Sequence, residues 1–342
     1  DLALAPIRTG MNLRARWIGV LLILLCIGGI AGPATGQPAE EEVISPTVEE
    51  ATGEQTVIVR LTEQPTATIR TTDHENQIGS MQAHAETTQS PFERFAEGNP
   101  HVEIKRSFWL TNALVIRVDT DRVPLQRLGT VENFERVHKN YNVSVATTAA
   151  STAPSTTTSQ PWNPTHPLRI QQSPGQQQVA PQLEPTAQTT DGLAQINVPG
   201  AWEHTQGGTT SIAILDTGVD PNHPDININP ANWNDWDTDG NSRDTDPQDY
   251  GRHGTHVSGT AVGGRASGTA IGVAPEAELY HGAALNQGCD TSSQTGCNGN
   301  VAQLIAGMEW AVEQDVDVIS MSLGGTDKSD NFIDEMVPVV RN

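Results

Sequence analysis

The sequence predicts two folded units of different class, a small α+β domain over residues 56–145 and an α/β domain with a parallel sheet over residues 191–342. Three observations support this prediction. Strand-type and helix-type patterns alternate after residue 191, which is typical of parallel strands joined by crossover helices. Residues 56–145 follow the order β-α-β-β-α-β of ferredoxin-like domains. Residues 146–190 are rich in Thr, Ser, Gln and Pro without an apolar period, as in an extended linker.

The first 55 residues are predicted to be targeting and unstructured sequence. Residues 1–10 are interpreted as sequence upstream of the true start of translation, for which Met11 is the candidate. Residues 11–36 have the pattern of a signal peptide, in which two arginines precede an apolar run that ends in small residues. This pattern predicts a secreted protein; an uncleaved membrane anchor is the alternative, although the run is short for a membrane span. Residues 37–55 are acidic with little apolar pattern, which predicts disorder.

The small α+β domain is read from short apolar runs separated by polar turns. Its predicted elements are a strand at 57–61, a helix at 78–95 interrupted near Pro91, strands at 103–110 and 113–118, a short helix from Asp121 to 128, and a strand at 131–138.

The second unit is read in the same way. Its predicted elements are a strand at 211–215, a helix at 253–263, a strand at 278–284, an apolar helical stripe at 301–312 and a strand at 316–321. The helical stripe is interpreted as core, and no site is assigned to it.

Two segments of the second unit carry candidate chemistry. One strand ends at Asp216, and Gly218 allows a sharp turn after it. His253 opens a run of small residues, Gly254 to Gly264, that predicts a closely packed helix. A carboxylate at the carboxyl end of a parallel strand lies where α/β folds build their sites, and an aspartate beside a histidine fixes the imidazole tautomer. Taken alone, the His-Gly-Thr-His sequence also fits a metal-binding pair, His253 with His256.

Five motifs in one order resemble those of the subtilisin-like serine proteases (subtilases). They are Asp216-Thr217-Gly218, Asp220-Pro221-Asn222-His223-Pro224-Asp225, His253-Gly254-Thr255-His256-Val257-Ser258-Gly259, Ile271-Gly272-Val273-Ala274-Pro275 and Val318-Ile319-Ser320-Met321-Ser322-Leu323-Gly324-Gly325. Two positions depart from the family pattern. Arg252 stands where a small residue usually precedes the histidine, and Ser258 stands where alanine is usual.

The resemblance implies an incomplete three-layer, parallel-sheet catalytic domain that belongs to a secreted serine endopeptidase. Asp216 and His253 would form a triad with a serine beyond Asn342, so the chain alone is expected to be inactive. Ser322, Leu323 and Gly324 would line the substrate cleft and pair with an extended polypeptide.

The resemblance also covers the small domain. Residues 56–145 resemble the inhibitor prodomain that precedes subtilase catalytic domains, so the chain's own prodomain is an expected partner beside polypeptide substrates. The implied protein is a monomer without an organic cofactor. Two alternatives remain open, a non-catalytic calcium-stabilised module of the same fold and a membrane-anchored protease.

Acidic residues raise the question of a structural metal ion. Asp235, Asp237, Asp239 and Asp246 match the spacing of the carboxylate positions in a calcium loop, which predicts a bound Ca²⁺. An acidic surface loop is the alternative. Asp225 resembles a carboxylate that holds a structural calcium in many subtilases.

Cys289 and Cys297 bracket a short polar loop and are expected to form a disulfide in an exported protein. Two free thiols or a metal pair are the alternatives. Closing such a short loop by a disulfide is expected to stabilise the folded protein by roughly 2–3 kcal/mol.

Charge is distributed unevenly along the chain. The formal net charge is −22, and residues 191–342 contain 22 acidic and 5 basic residues. This balance argues against a nucleic-acid partner. It is consistent with a halophilic protein, with calcium loading or with a surface that is simply soluble.

Overall fold

The computed structural model describes residues 44, 48, 52–62, 74–145, 188–289 and 296–325. The predicted signal peptide at 11–36 and the linker residues 146–187 therefore lie outside the described residues. Among the residues that are described, no helix has the length and apolar character needed to cross a membrane.

The N-terminal domain is a four-stranded antiparallel sheet with the strand order β2-β3-β1-β4. Its elements are β1 (Glu54–Leu61), α1 (His74–Glu97), β2 (Val102–Phe108), β3 (Ala113–Asp119), a 3₁₀ helix (Leu125–Thr130) and β4 (Phe134–Lys139). The predicted α+β class is confirmed. Strand β1 begins inside the segment 37–55, which was expected to be disordered, because Glu54 and Gln55 pair with β3. The second predicted helix is a 3₁₀ helix that starts four residues later than expected.

Helix α1 continues through Pro91, where the sequence predicted an interruption. A proline inside a helix removes one backbone hydrogen bond and costs about 3 kcal/mol. The next residue, Phe92, is fully buried in the core of the domain and packs with Phe95. Burial of this last turn offsets the cost of the proline.

The second domain contains a five-stranded sheet with the order β13-β7-β11-β8-β9, parallel except for the edge strand β9. Strand β5 (Asn142–Val145) precedes this domain in the chain. The named helices and strands of the domain are β6 (Gln188–Thr189), α2 (Asp191–Gln195), α3 (Val198–Trp202), β7 (Ser211–Asp216), β8 (Trp233–Trp236), β9 (Ser242–Arg243), α4 (His253–Val262), β10 (Thr269–Ala270), β11 (Glu278–Ala283), β12 (Asn298–Asn300), α5 (Val301–Glu313), β13 (Val318–Ser320) and β14 (Leu323–Gly325).

Helices cover both faces of this sheet. Ile214 of β7 packs in an apolar cluster with Val262 of α4. Leu215, the next residue, packs in a second cluster with Leu304 of α5. Successive side chains of a strand point to opposite faces, so α4 and α5 lie on opposite sides of the sheet. The predicted three-layer α/β class is confirmed.

The two domains are joined by a small antiparallel sheet with the order β12-β5-β14. Its middle strand, β5, follows the N-terminal domain, whereas both flanking strands belong to the second domain. The sequence did not predict β5, which is only four residues long.

Candidate active site

The site is built around Asp216 and His253. Asp216 is the last residue of β7 and is fully buried, and His253 is the first residue of α4. Nδ1 of His253 donates to Oδ1 of Asp216 across 2.8 Å. The backbone N–H of Thr217 donates to the same oxygen across 2.7 Å.

The electrostatics of this pair favour a protonated imidazole. The hydrogen bond to Asp216 raises the pKa of His253 above its ordinary value. Burial raises the pKa of the Asp216 carboxyl, and the hydrogen bonds from His253 and Thr217 oppose that rise. An aspartate in this position orients the imidazole and stabilises the imidazolium that forms when the histidine accepts a proton.

Two glycines bring the strand end and the helix together. Gly218 has a φ of 115°, a left-handed conformation that side chains disfavour. A β-carbon on Gly254 would overlap the carbonyl oxygen of Gly218, so the two backbones touch there. A side chain at position 254 would push α4 away from the end of β7 and separate His253 from Asp216, and one at position 218 would overlap the backbone of Gln248 in the loop before α4.

Asp249 organises the start of helix α4, and the sequence analysis missed it. Its carboxylate accepts hydrogen bonds from the backbone N–H groups of Arg252 and Thr255, each at 2.8 Å. It also accepts one from the hydroxyl of Thr217 at 2.7 Å. A negative charge at a helix N-terminus is stabilising. An acidic residue four positions before the histidine is the signal that would have found it.

Arg252, the departure before the histidine, is an exposed residue with a left-handed φ of 69°. A non-glycine residue in this conformation costs about 1–2 kcal/mol. Its backbone is held by the bond to Asp249. The left-handed backbone at this position therefore explains why the family usually has a small residue here.

The residues predicted to pair with an extended polypeptide lie beside β5. Leu323 pairs with Val145 and Gly324 with Ser144, and Ser322 directly precedes this ladder. Strand β12 pairs with the other edge of β5. The chain's own strand β5 therefore pairs with the residues that were predicted to bind a polypeptide.

The carboxylates of the predicted calcium loop do not converge. Asp235 is buried and is bound by Arg243 and by the hydroxyl of Tyr250. Asp237 accepts the backbone N–H groups of the turn that follows it, at 2.9 Å. Asp239 faces two cations of the N-terminal domain, and Asp246 is exposed. Within the described ranges, no group of three or more His, Cys, Asp or Glu residues is placed to hold a metal. As placed here, the four carboxylates do not converge on one point, and calcium binding stays a prediction.

Asp225 makes a contact that connects two loops of the second domain, and its predicted role as a calcium ligand stays a prediction. It is buried, and its carboxylate accepts the backbone N–H of Ser267 at 2.9 Å. The hydrogen bond from the Ser267 side chain, together with the bond from its backbone N–H, lowers the pKa of Asp225. The contact ties the loop after β7 to the segment after α4.

Cys289 and Cys297 form the disulfide that the sequence predicted. Cys297 is buried and immediately precedes β12. Its sulfur lies against Gly251, since a β-carbon on that glycine would overlap it. The disulfide thus lies between β12, which pairs with β5, and the loop that leads into His253.

A parallel α/β sheet that joins a buried aspartate to a histidine at the start of a crossover helix is the framework of hydrolases that activate a serine. Residues 207–340 match the model of the subtilase family, which supports the resemblance to the subtilisin-like serine proteases.

Several curated proteins share this part of the sequence. An intracellular serine protease of Paenibacillus polymyxa is 38% identical over 155 residues, which are 43% of this chain and 43% of that protein. Subtilisin E of Bacillus subtilis is 38% identical over 143 residues, which are 39% of this chain and 32% of that protein. The chain therefore spans less than half the length of these relatives.

One solved structure overlaps more of the chain. Fervidolysin from Fervidobacterium pennivorans, described as a keratinolytic enzyme related to subtilisin, is 15% identical. The match covers 87% of this chain and 40% of that protein, with a TM-score of 0.47.

Proposed function

We propose that this chain is the N-terminal part of a secreted serine endopeptidase precursor that hydrolyses polypeptides. The hydrogen bond between His253 and Asp216 carries this proposal. In the complete protein a serine after Asn342 attacks the peptide carbonyl, and His253 accepts its proton and passes it to the leaving amine. Asp216 holds the imidazole in the required tautomer. The proposal of export rests on residues 11–36 alone. The relatives do not support it, because one of them is named an intracellular protease.

We further propose that the N-terminal domain inhibits the site in cis. Strand β5 fills the channel between β12 and β14, so a substrate cannot pair there at the same time. The N-terminal end of α5 receives the same segment, because the N–H of Val301 donates to the carbonyl of Tyr141 and that of Ala302 donates to the Asn140 side chain.

Side chains around this channel support the docking. The indole N–H of Trp109 donates to Glu313 of α5 across 3.1 Å. Lys105 and Arg117 each lie 3.9 Å from Asp239, one of the predicted calcium ligands. Ion pairs of this length at a solvent-accessible boundary contribute about 1 kcal/mol each and are screened by salt.

The test uses the full-length protein with the N-terminal domain removed by processing. We expect cleavage of a casein substrate that is blocked by a serine-directed covalent inhibitor. We also expect that adding back the N-terminal domain, made separately as residues 56–145, inhibits at sub-micromolar concentration. Lack of cleavage by correctly folded protein refutes the enzyme assignment. Lack of inhibition at tens of micromolar refutes the inhibitor role alone.

A further inference from the structure

Strand β5 presents two valines to the second domain. Val143 is fully buried and Val145 is 3% exposed, whereas Ser144 between them is partly exposed. Because side chains alternate along a strand, the two valines lie on the same side of β5. Both belong to the apolar cluster that also contains Leu285 and Leu304 of the second domain.

The same cluster contains one half of the disulfide. Cys297 is 1% exposed and belongs to it, and Cys289 packs against it. Asn298 pairs with Ser144, so continuing this register by one residue sets Cys297 opposite Val145. The wall is fixed on its other side, because Gln287 and Asn298 exchange two backbone hydrogen bonds of 2.8 Å. We call residues 287–289 and 297–298 the disulfide wall.

The end of β5 points toward the aspartate–histidine pair. Ser320 of β13 pairs with Ile214, two residues before Asp216. The chain continues to β14, where Leu323 pairs antiparallel with Val145. A polypeptide bound like β5 therefore runs with its C-terminal end toward the carboxyl edge of β7. Of the two buried valines, Val145 is the one nearer to the reacting bond.

We propose that this cleft selects polypeptides with branched aliphatic residues at two alternate positions, and that the disulfide wall determines the second of them. The proposal rests on the proposed function, because it names the substrates of that same site. The buried positions of β5 act as a template for these substrates. A polar residue at the Val145 position would bury its polar group beside a disulfide that offers no strong hydrogen-bond partner.

The proposal extends to redox state. The disulfide is the one covalent link between the two strands of the wall, so its reduction leaves Cys297 held by non-covalent contacts alone, namely the bridge between Gln287 and Asn298 and the packing against Gly251. We expect selectivity at the Val145 position to fall on reduction, while selectivity at the Val143 position persists.

The experiment measures kcat/KM of the processed full-length enzyme on peptides that contain residues 140–149. One peptide has the natural sequence, and three others have serine at the Val145 position, serine at the Val143 position, or alanine at the Ser144 position. Losing a buried valine side chain is expected to lower kcat/KM about 10- to 100-fold, and the alanine control about threefold or less. In the double variant Cys289→Ser with Cys297→Ser, the loss at the Val145 position is expected to shrink to below about threefold.

If the cysteine variant does not fold, a second measurement tests the role of the disulfide in the unmutated chain. Amide hydrogen exchange of the unprocessed chain is followed before and after a reductant is added. We expect exchange at Val145 to accelerate, while Val59 in β1 serves as the internal control.

Each outcome decides between the proposals. Casein cleavage with equal rates on all four peptides overturns the selectivity and leaves the proposed function standing. Unchanged selectivity and unchanged exchange after reduction overturn the role of the disulfide wall. Failure to cleave any substrate overturns the proposed function and this inference with it.

Discussion

Replacing Glu309 by glutamine tests how the N-terminal domain is held. Glu309 lies on α5, is 3% exposed, and accepts the backbone N–H of Leu110 at 2.8 Å. Burial raises its pKa to about 8, against the opposing effects of that hydrogen bond and of Arg106. The charged groups that face it are Arg106 on β2, at 4.0 Å, and Glu313 on the same helix.

The sign of the pH effect follows from the raised pKa. The Glu309 carboxylate faces Leu110 and Arg106 of the N-terminal domain, so undocking is expected to expose the carboxyl and to return its pKa toward 4.5, the ordinary value. Proton uptake therefore stabilises the docked state. This stabilisation is fully present below pH 4.5 and is lost as the pH rises through 8. Each pH unit in this window corresponds to about 1.4 kcal/mol, or a tenfold change in the dissociation constant, as an upper limit.

The assay follows the docked complex after a protease site introduced into residues 146–187 has been cut. We expect the dissociation constant of the N-terminal domain to rise by at least about tenfold between pH 6 and pH 9. Glutamine is neutral at every pH, so Glu309→Gln is expected to flatten this dependence. Glu313→Gln is the matched control, since Glu313 is exposed and also bonds to the N-terminal domain. A flat wild-type profile, or the same slope in Glu309→Gln, would refute the reasoning.

Three further predictions concern the second domain. In the complete enzyme, His253→Ala or Asp216→Ala is expected to lower kcat by on the order of 10⁴ with little change in KM, and a variant that keeps a tenth of the wild-type kcat contradicts the assignment. Asp249→Ala removes an acceptor shared by several donors at the start of α4, so urea unfolding is expected to show a loss of about 2–4 kcal/mol; a loss below about 0.5 kcal/mol would show that Asp249 does not organise the helix. Calcium binding is tested by melting in chelator, in millimolar Ca²⁺ and in molar salt: a true site raises the melting temperature with Ca²⁺ in the wild type but less in Asp237→Ala, and equal stabilisation of both leaves an acidic surface only.

The sequence predicted the central elements of the second domain because their signals are local. The apolar run that ends at Asp216 gives a strand and its last residue directly. The run of small residues after His253 gives a closely packed helix. Both patterns are complete within about ten residues, and the resemblance to the family fixes their relative position.

The features that the sequence did not reveal depend on partners far along the chain. Glu309 accepts a hydrogen bond from Leu110, which lies 199 residues earlier, and no local pattern marks an acidic residue in an apolar helix as buried. Strand β5 forms only because β12 and β14 flank it. Asp235 had the spacing of a calcium ligand, but spacing did not show that Arg243 takes its carboxylate. In each example, tertiary contact determines the role of the residue.

The covalent connection between β5 and the second domain makes occupancy of the channel independent of protein concentration. A covalent tether holds its two ends at an effective concentration on the order of millimolar, so β5 rebinds each time it leaves. Under the proposed function, a peptide substrate at micromolar concentration competes poorly with such a segment. One cut within residues 146–187 turns this first-order rebinding into a second-order encounter between separate molecules. Dilution after that cut, for instance on release into a large external volume, then opens the channel without any further chemical change.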